Sequence, residues 1–250
     1  MRYTARVYYI CHFYGDFHLL AVIRLFLIAL FILMSGLVGL LMCILVPFHP
    51  NHVHRCATWY SQVAKLLGIK LEINNAPRSD SQSVVYVANH QNSYDIFTIT
   101  GAVPKRTVSI GKKSLKWIPF FGQLYWLSGN ILIDRKNKTK AVGTISKAAN
   151  KIKQKNLSVW MFAEGTRSYG RGLLPLKTGA FHTALQADVP VVPVCMSTTH
   201  KKINLNRWDN GTIYIEFLDP IILNKDASVR KQANEVHAIM DSKIKQLDAL

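Results

Sequence analysis

The stretch "VVYVANHQNSYDIF", residues 84–97, decides the fold. Val84 to Ala88 is a short, unbroken apolar run of β-branched and aromatic residues, the pattern of a strand buried on both faces. It gives way at once to polar residues, where Asn92 or Ser93 can cap a helix running over 94–101. On one continuous helix His90 and Asp95 would stand about 140° apart around the axis, so they meet only if the chain turns between them. With that turn, the Asp95 carboxylate can accept from one imidazole nitrogen of His90 and raise the basicity of the other, as a general base requires. Taken alone, such a pair reads better as a loop histidine that caps or packs, since pairs at this spacing arise easily by chance.

The segments downstream repeat the alternation of short β-rich runs and helical patterns. Strands are expected at 69–73, 84–88, 107–110, 130–133, 158–162, 190–195 and 212–217, and helices at 94–101, 139–155, 177–187 and 226–248. This is the signature of an α/β domain with a largely buried sheet. "SLKWIPFFGQLYWLSG", residues 114–129, is aromatic and broken by Pro119 and Gly122. "VPVVPV", residues 189–194, reads as a core strand, and His182 as packing.

A second strand, "SVWMF", also runs into a polar turn, "AEGTRSYGRG". Backbone N–H groups around Gly165 and Thr166, with the two-pronged guanidinium of Arg167, suit a phosphate. The plain alternative is a surface turn closed by a Glu164–Arg167 ion pair. "GKKSLKWIPFFG", residues 111–122, adds Lys112 and Lys113. It is not a nucleotide P-loop, because Arg106 stands where the first glycine belongs and Lys113 where Ser or Thr should follow the lysine. "SIGK" (109–112) with "KTG" (177–179) imitates a serine acyl-enzyme pattern, but Ser109 lies inside a strand and the Ser-Asp-Asn element is missing. His49, His52 and His54 have no cysteine or carboxylate cluster beside them, so no metal is expected; they read as membrane-interface residues.

Toward the N-terminus, Leu25 to Val46 carries no charge, and Leu19 to Ile23 extends the run beyond Arg24. That is long enough to cross a bilayer or to lie deep in one leaflet. After Pro47 and Pro50 a second helical pattern places Val53, Ala57, Tyr60, Ala64 and Leu67 on one stripe. A simple span and a hairpin sunk in one leaflet both remain open at this point. The net charge of +17 calls for an anionic partner, and the apolar segment selects acidic phospholipid over nucleic acid, for which no fold signature is present. Cys11, Cys43, Cys56 and Cys195 lack C-x-x-C spacing and read as reduced thiols of a chain whose main domain is cytoplasmic.

In order, "NHQNSYD", "GKKSLKWIPFFGQLYWLSGNILIDR", "FAEGTRS" and "VPVVPV" resemble the four blocks of the lysophosphatidic acid acyltransferases, within the glycerolipid acyltransferase family. The resemblance is strongest to the bacterial type; Ala163 departs from it, standing where the family has proline. It implies a mixed sheet flanked by helices, preceded by a two-helix membrane motif at 19–68 after an extension at 1–18, with the α/β domain at 69–250. It implies His90 as general base, Asp95 as its orienting partner, and Glu164, Gly165, Thr166, Arg167, Lys112 and Arg135 as the phosphate site. The implied reaction moves an acyl group from acyl-CoA or acyl-acyl carrier protein to the sn-2 hydroxyl of 1-acyl-sn-glycerol 3-phosphate, without cofactor or covalent intermediate. The implied setting is the cytoplasmic face of a bacterial inner membrane, in contact with bilayer lipid. A sister enzyme with another glycerophosphate or lysophospholipid acceptor would use the same residues.

Overall fold

The structure, a computed structural model, describes residues 19–77, 82–134 and 138–250. The expected extension at 1–18 and the expected phosphate ligand Arg135 lie outside the described residues. The strands are β1 (Ile69–Asn74), β2 (Val85–Ala88), β3 (Thr107–Lys112), β4 (Ile131–Ile133), β5 (Ser158–Phe162), β6 (Val191–Met196) and β7 (Gly211–Phe217). They form one sheet in the order β1-β7-β6-β2-β5-β3-β4, parallel throughout except for the β6–β7 pair. The expected mixed α/β sheet is therefore the observed one.

The helices are α1 (Leu19–Leu45), α2 (His52–Ser61), α3 (Val63–Leu66), α4 (Phe121–Leu127), α5 (Lys138–Lys155), α6 (Gly179–Ala187) and α7 (Val229–Asp248). α6 packs on β2, α7 on β6, and α5 on β4 and β5. This cover is why every residue of β2 and β6 is buried and why both strands read as continuous apolar runs. Their register matters for function. Ala88 pairs with both Phe162 and Val194, so β2 and β5 end side by side, and β6 runs on to Met196 alongside the loop that follows β2.

Two expectations are corrected. The helix expected at 94–101 is instead a pair of 3-10 turns, Ser93–Ile96 and Ile99–Ala102. Ile96, Thr98, Ile99, Thr100 and Gly101 are all poor α-helix formers, and the Asn92 cap closes the first turn tightly. The histidines of α2 bond to backbone carbonyls of the protein itself. His52 is 1% exposed and donates from Nε2 to the Val46 carbonyl, while His54 donates from Nδ1 to the Val103 carbonyl over 2.7 Å. His182, for its part, is exposed on α6 rather than packed.

Among the described residues α1 is the one helix long and apolar enough to cross a membrane. Its buried residues, Ala21, Arg24, Ile28, Gly39 and Cys43, make a single narrow stripe along its length. Arg24 anchors the start of that stripe. Its guanidinium donates to the carbonyls of Leu205, Arg207 and Trp208 in the β6–β7 connection, and Asn206 Oδ1 accepts from the Ala21 N–H at 3.0 Å. At the other end the Phe48 N–H donates to the Leu127 carbonyl at 2.9 Å. Gly68, at φ 70, leads from α3 into β1 where any Cβ would strike the Trp208 carbonyl, so this junction accepts only glycine.

Arg24→Met keeps the apolar stripe but leaves the carbonyls of 205–208 without their donor. Thermal unfolding in detergent should fall by at least about 4 °C, the scale of roughly 2 kcal/mol in a chain of this size. An unchanged midpoint would mean that the guanidinium does not hold α1 to the domain.

Candidate active site

Three loops leave the C-terminal ends of β2, β5 and β6, on the side of the sheet where parallel α/β proteins bind ligands. In the first, Asn92 caps the 3-10 turn: its side chain accepts from the Tyr94 N–H at 2.8 Å, and the Asp95 carboxylate reaches back to the Asn92 N–H at 3.3 Å. The same carboxylate accepts from His90 Nδ1 and from the Gln91 N–H, both at 2.6 Å. His90 lies against Phe162 with ring centroids 4.2 Å apart and planes 18° from parallel. With Nδ1–H committed to a carboxylate that is 3% exposed, the ring cannot rotate freely, and Nε2 is the nitrogen left for a substrate.

The second loop is clamped to the first. Glu164 Oε1 accepts from the His90 N–H at 2.6 Å and Oε2 from the Leu174 N–H at 2.9 Å. The His90 and Gln91 carbonyls accept from the N–H groups of Ser168 and Tyr169, each at 2.9 Å. Glu164 is 2% exposed, and burial pushes its carboxyl above the usual carboxylate range while the two backbone N–H groups oppose the shift. Glu164, expected at the phosphate site, has both its oxygens on backbone donors and is not among the residues that line the cavity. Nor is it spent on an ion pair with Arg167.

The end of β6 closes the third side. Asn89 Nδ2 donates to the Met196 carbonyl at 2.9 Å, and its Oδ1 accepts from the Met196 N–H at 2.8 Å. Gln91 Nε2 donates to the Ser197 carbonyl at 2.8 Å, its Oε1 accepts from the Thr199 N–H at 2.7 Å, and Asn92 Nδ2 donates to Thr199 Oγ1 at 2.7 Å. The polar residues on either side of His90 therefore serve to fix the loop, which is why an apolar strand ends in so many of them at once.

His90 opens onto a cavity of about 710 Å³. Lys112, Gly165, Thr166 and Arg167, singled out in the sequence, all line it, as does Asp95. So does Lys177, which the sequence reading passed over. Gly165 admits it: at φ 72, a Cβ there would sit 2.8 Å from Lys177 Nζ. The only sequence signal was "KTG", whose resemblance to a serine acyl-enzyme motif pointed elsewhere. Arg167 Nη1 rests on Ser93 Oγ at 3.2 Å and the Tyr169 hydroxyl at 3.3 Å. Among the described residues no carboxylate pairs with Lys112, Arg167 or Lys177. Ile96, Ile99, Ile110, Leu115, Phe121 and Leu124 give the same cavity an apolar wall. Ser109, inside β3, hydrogen-bonds the Tyr125 hydroxyl at 2.7 Å and Asn130 Oδ1 at 2.9 Å, and so is built into the cavity wall. Unpaired cations, an oriented imidazole and an apolar wall suit a molecule with an anionic head, a hydroxyl and a long tail.

Comparison with known proteins agrees. The family described as Acyltransferase matches residues 69–197. The 1-acyl-sn-glycerol-3-phosphate acyltransferase of Escherichia coli (strain K12) is 47% identical over 233 residues, covering 92% of this chain and 95% of that one. The protein of the same name from Haemophilus influenzae is 47% identical over 235 residues, covering 92% and 97%. The crystal structure of the 1-acyl-sn-glycerophosphate (LPA) acyltransferase of Thermotoga maritima superposes with a TM-score of 0.73 at 22% identity, over 93% of this chain and 96% of that one, a likeness of fold. Family match and near full-length identity together show that this chain is an enzyme of the acyltransferase family.

Proposed function

We propose that the enzyme acylates the sn-2 hydroxyl of 1-acyl-sn-glycerol 3-phosphate, giving phosphatidic acid. The observation that carries this reading is the convergence, in one cavity, of the Asp95-oriented His90 with Lys112, Arg167, Lys177 and an apolar wall. The phosphate binds the three cations and the backbone around Gly165 and Thr166. Its hydroxyl then lies beside His90 Nε2, and holding it there supplies much of the rate. His90 Nε2 takes the hydroxyl proton as the oxygen attacks the thioester carbonyl of acyl-CoA or acyl-acyl carrier protein. The tetrahedral intermediate collapses, the carbon–sulfur bond breaks, and the departing thiolate receives the proton from the imidazolium. Phosphatidic acid and free thiol leave; no covalent enzyme intermediate forms.

The bilayer supplies the acceptor, and the geometry of α1 favours the hairpin over a span. A helix of 27 residues is about 40 Å long. Its start is tied to residues 205–208 and its end to Leu127, both on the α/β domain, so it runs along that domain. Standing upright through a bilayer would drag one of those attachments across the hydrocarbon. The remaining apolar faces of α1 then lie in one leaflet, with the basic domain on the cytoplasmic face of the inner membrane.

Transfer of labelled acyl groups to 1-acyl-glycerol 3-phosphate, with both donors and with competing acceptors, tests the reading. The native chain should make phosphatidic acid and His90→Ala should lose at least about a hundredfold in kcat; full activity in His90→Ala, or preference for another acceptor, would overturn it. Lys177→Ala should raise KM for the acceptor by about tenfold or more with a smaller change in kcat, because it removes a phosphate contact present before the reaction. Glu164→Gln should do the reverse, lowering kcat by about tenfold while KM changes by less than about twofold, since it loosens the loop that aims His90. A rise in KM alone for Glu164→Gln would show that the carboxylate serves the phosphate after all.

A further inference from the structure

The segment that walls the cavity has a second side. A 3-10 turn, Lys113–Trp117, leads through Ile118 and Pro119 into α4. Leu115, Phe121, Leu124 and Tyr125 line the cavity. Their neighbours do not: Trp117 is 76% exposed, Phe120 57% and Trp126 54%. One such ring in water is ordinary, but several together forgo the gain of burial, and contiguous patches of this kind mark interaction sites. Phe120 stands at φ 59 and ψ −48, a region that bulky side chains avoid, so the fold holds this ring outward against a local cost.

The patch is also continuous with α1. Phe48, just beyond that helix, meets Trp126 edge to face with ring centroids 5.3 Å apart, and the exposed apolar face of α1 begins there. Lys113 and Lys116 sit on the same turn. The Lys116 ammonium lies 4.2 Å above the Trp117 ring, and the Lys113 ammonium stands 3.7 Å from Asp134 while remaining about half exposed. Tryptophan rings with lysines beside them, on an apolar base, match the headgroup zone of a bilayer, where rings settle at the acyl-chain ends and ammonium groups reach phosphates. An acidic protein partner would want the cations without the protruding rings.

We propose that residues 113–126 form a second membrane foothold, on the α/β domain and distinct from α1, that seats on an anionic leaflet and sets the cavity mouth at headgroup level. What passes through that mouth rests on the acyltransferase reading above; the docking does not.

The full chain in phosphatidylglycerol-containing vesicles, with lipids brominated near the top of the acyl chains, supplies the test. Those lipids should quench the emission that Trp117→Phe removes, beside that of Trp126 in the same foothold; a lipid-quenched emission undiminished in the variant would overturn the proposal. In parallel, Trp117→Ser combined with Phe120→Ser should lower kcat/KM about tenfold on long-chain acceptor in vesicles and less than about twofold on a monomeric short-chain acceptor in solution. The same loss on both substrates would show that the rings serve the fold or the cavity. Lys113→Gln with Lys116→Gln should abolish any preference for phosphatidylglycerol over phosphatidylcholine vesicles, and a retained preference would overturn the anionic part. Should the native chain acylate neither acceptor, the acyltransferase reading falls and the quenching result still decides the foothold.

Discussion

The hydrogen bond from the His90 N–H to the buried carboxylate of Glu164 is the constraint on which the site depends. The sheet register brings the ends of β2 and β5 level, but level strands alone leave their loops free to diverge. One carboxylate, sharing its two oxygens between His90 and Leu174, ties the loops at both ends, and the backbone bonds from Ser168 and Tyr169 close the seam between them. Charge-assisted hydrogen bonds of this kind contribute about 1.5–3 kcal/mol each, while desolvating a carboxylate costs several kcal/mol. The clamp is therefore close to neutral for stability. What it supplies is position: His90 is held from behind by Glu164 and from the side by Asp95, and its Nε2 is left toward the cavity.

Around that fixed imidazole the charges are divided by role. The acidic side chains, Asp95 and Glu164, are buried and face donors within the loops. The basic ones, Lys112, Arg167 and Lys177, line the cavity with no carboxylate among the described residues to neutralise them. A phosphate entering there meets three cations that have not been spent elsewhere, in a cavity whose other walls are largely apolar. At a distance from the site, Arg24 ties the start of the apolar helix to the domain.

Local patterns carried most of the fold. The continuous apolar runs of β2 and β6 read correctly because every residue of both strands is buried, and β5 ended at the polar turn that its sequence announced. His90 and Asp95 were legible because their contact spans five positions and a single capped turn. The contacts that the sequence hid are the long-range ones. Asn89, Gln91 and Asn92 bond to residues 196–199 at the end of β6, a partner no spacing reveals. Glu164 looked like a ligand because it sits between an anion-friendly glycine and an arginine, and only the register shows it facing backbone. Lys177 was missed because it reaches the site across Gly165 from the start of a different element. In the same way, the 94–101 stretch carried a helical pattern but lacked the residues to sustain more than 3-10 turns.

The most direct measurement is a crystal structure of the full chain with 1-acyl-sn-glycerol 3-phosphate bound. The account predicts the phosphate within hydrogen-bond distance of Arg167 and Lys177, the acyl chain in the cavity beside Ile99 and Leu124, and the sn-2 hydroxyl about 3 Å from His90 Nε2. A phosphate held elsewhere, with the hydroxyl facing away from His90, would contradict it.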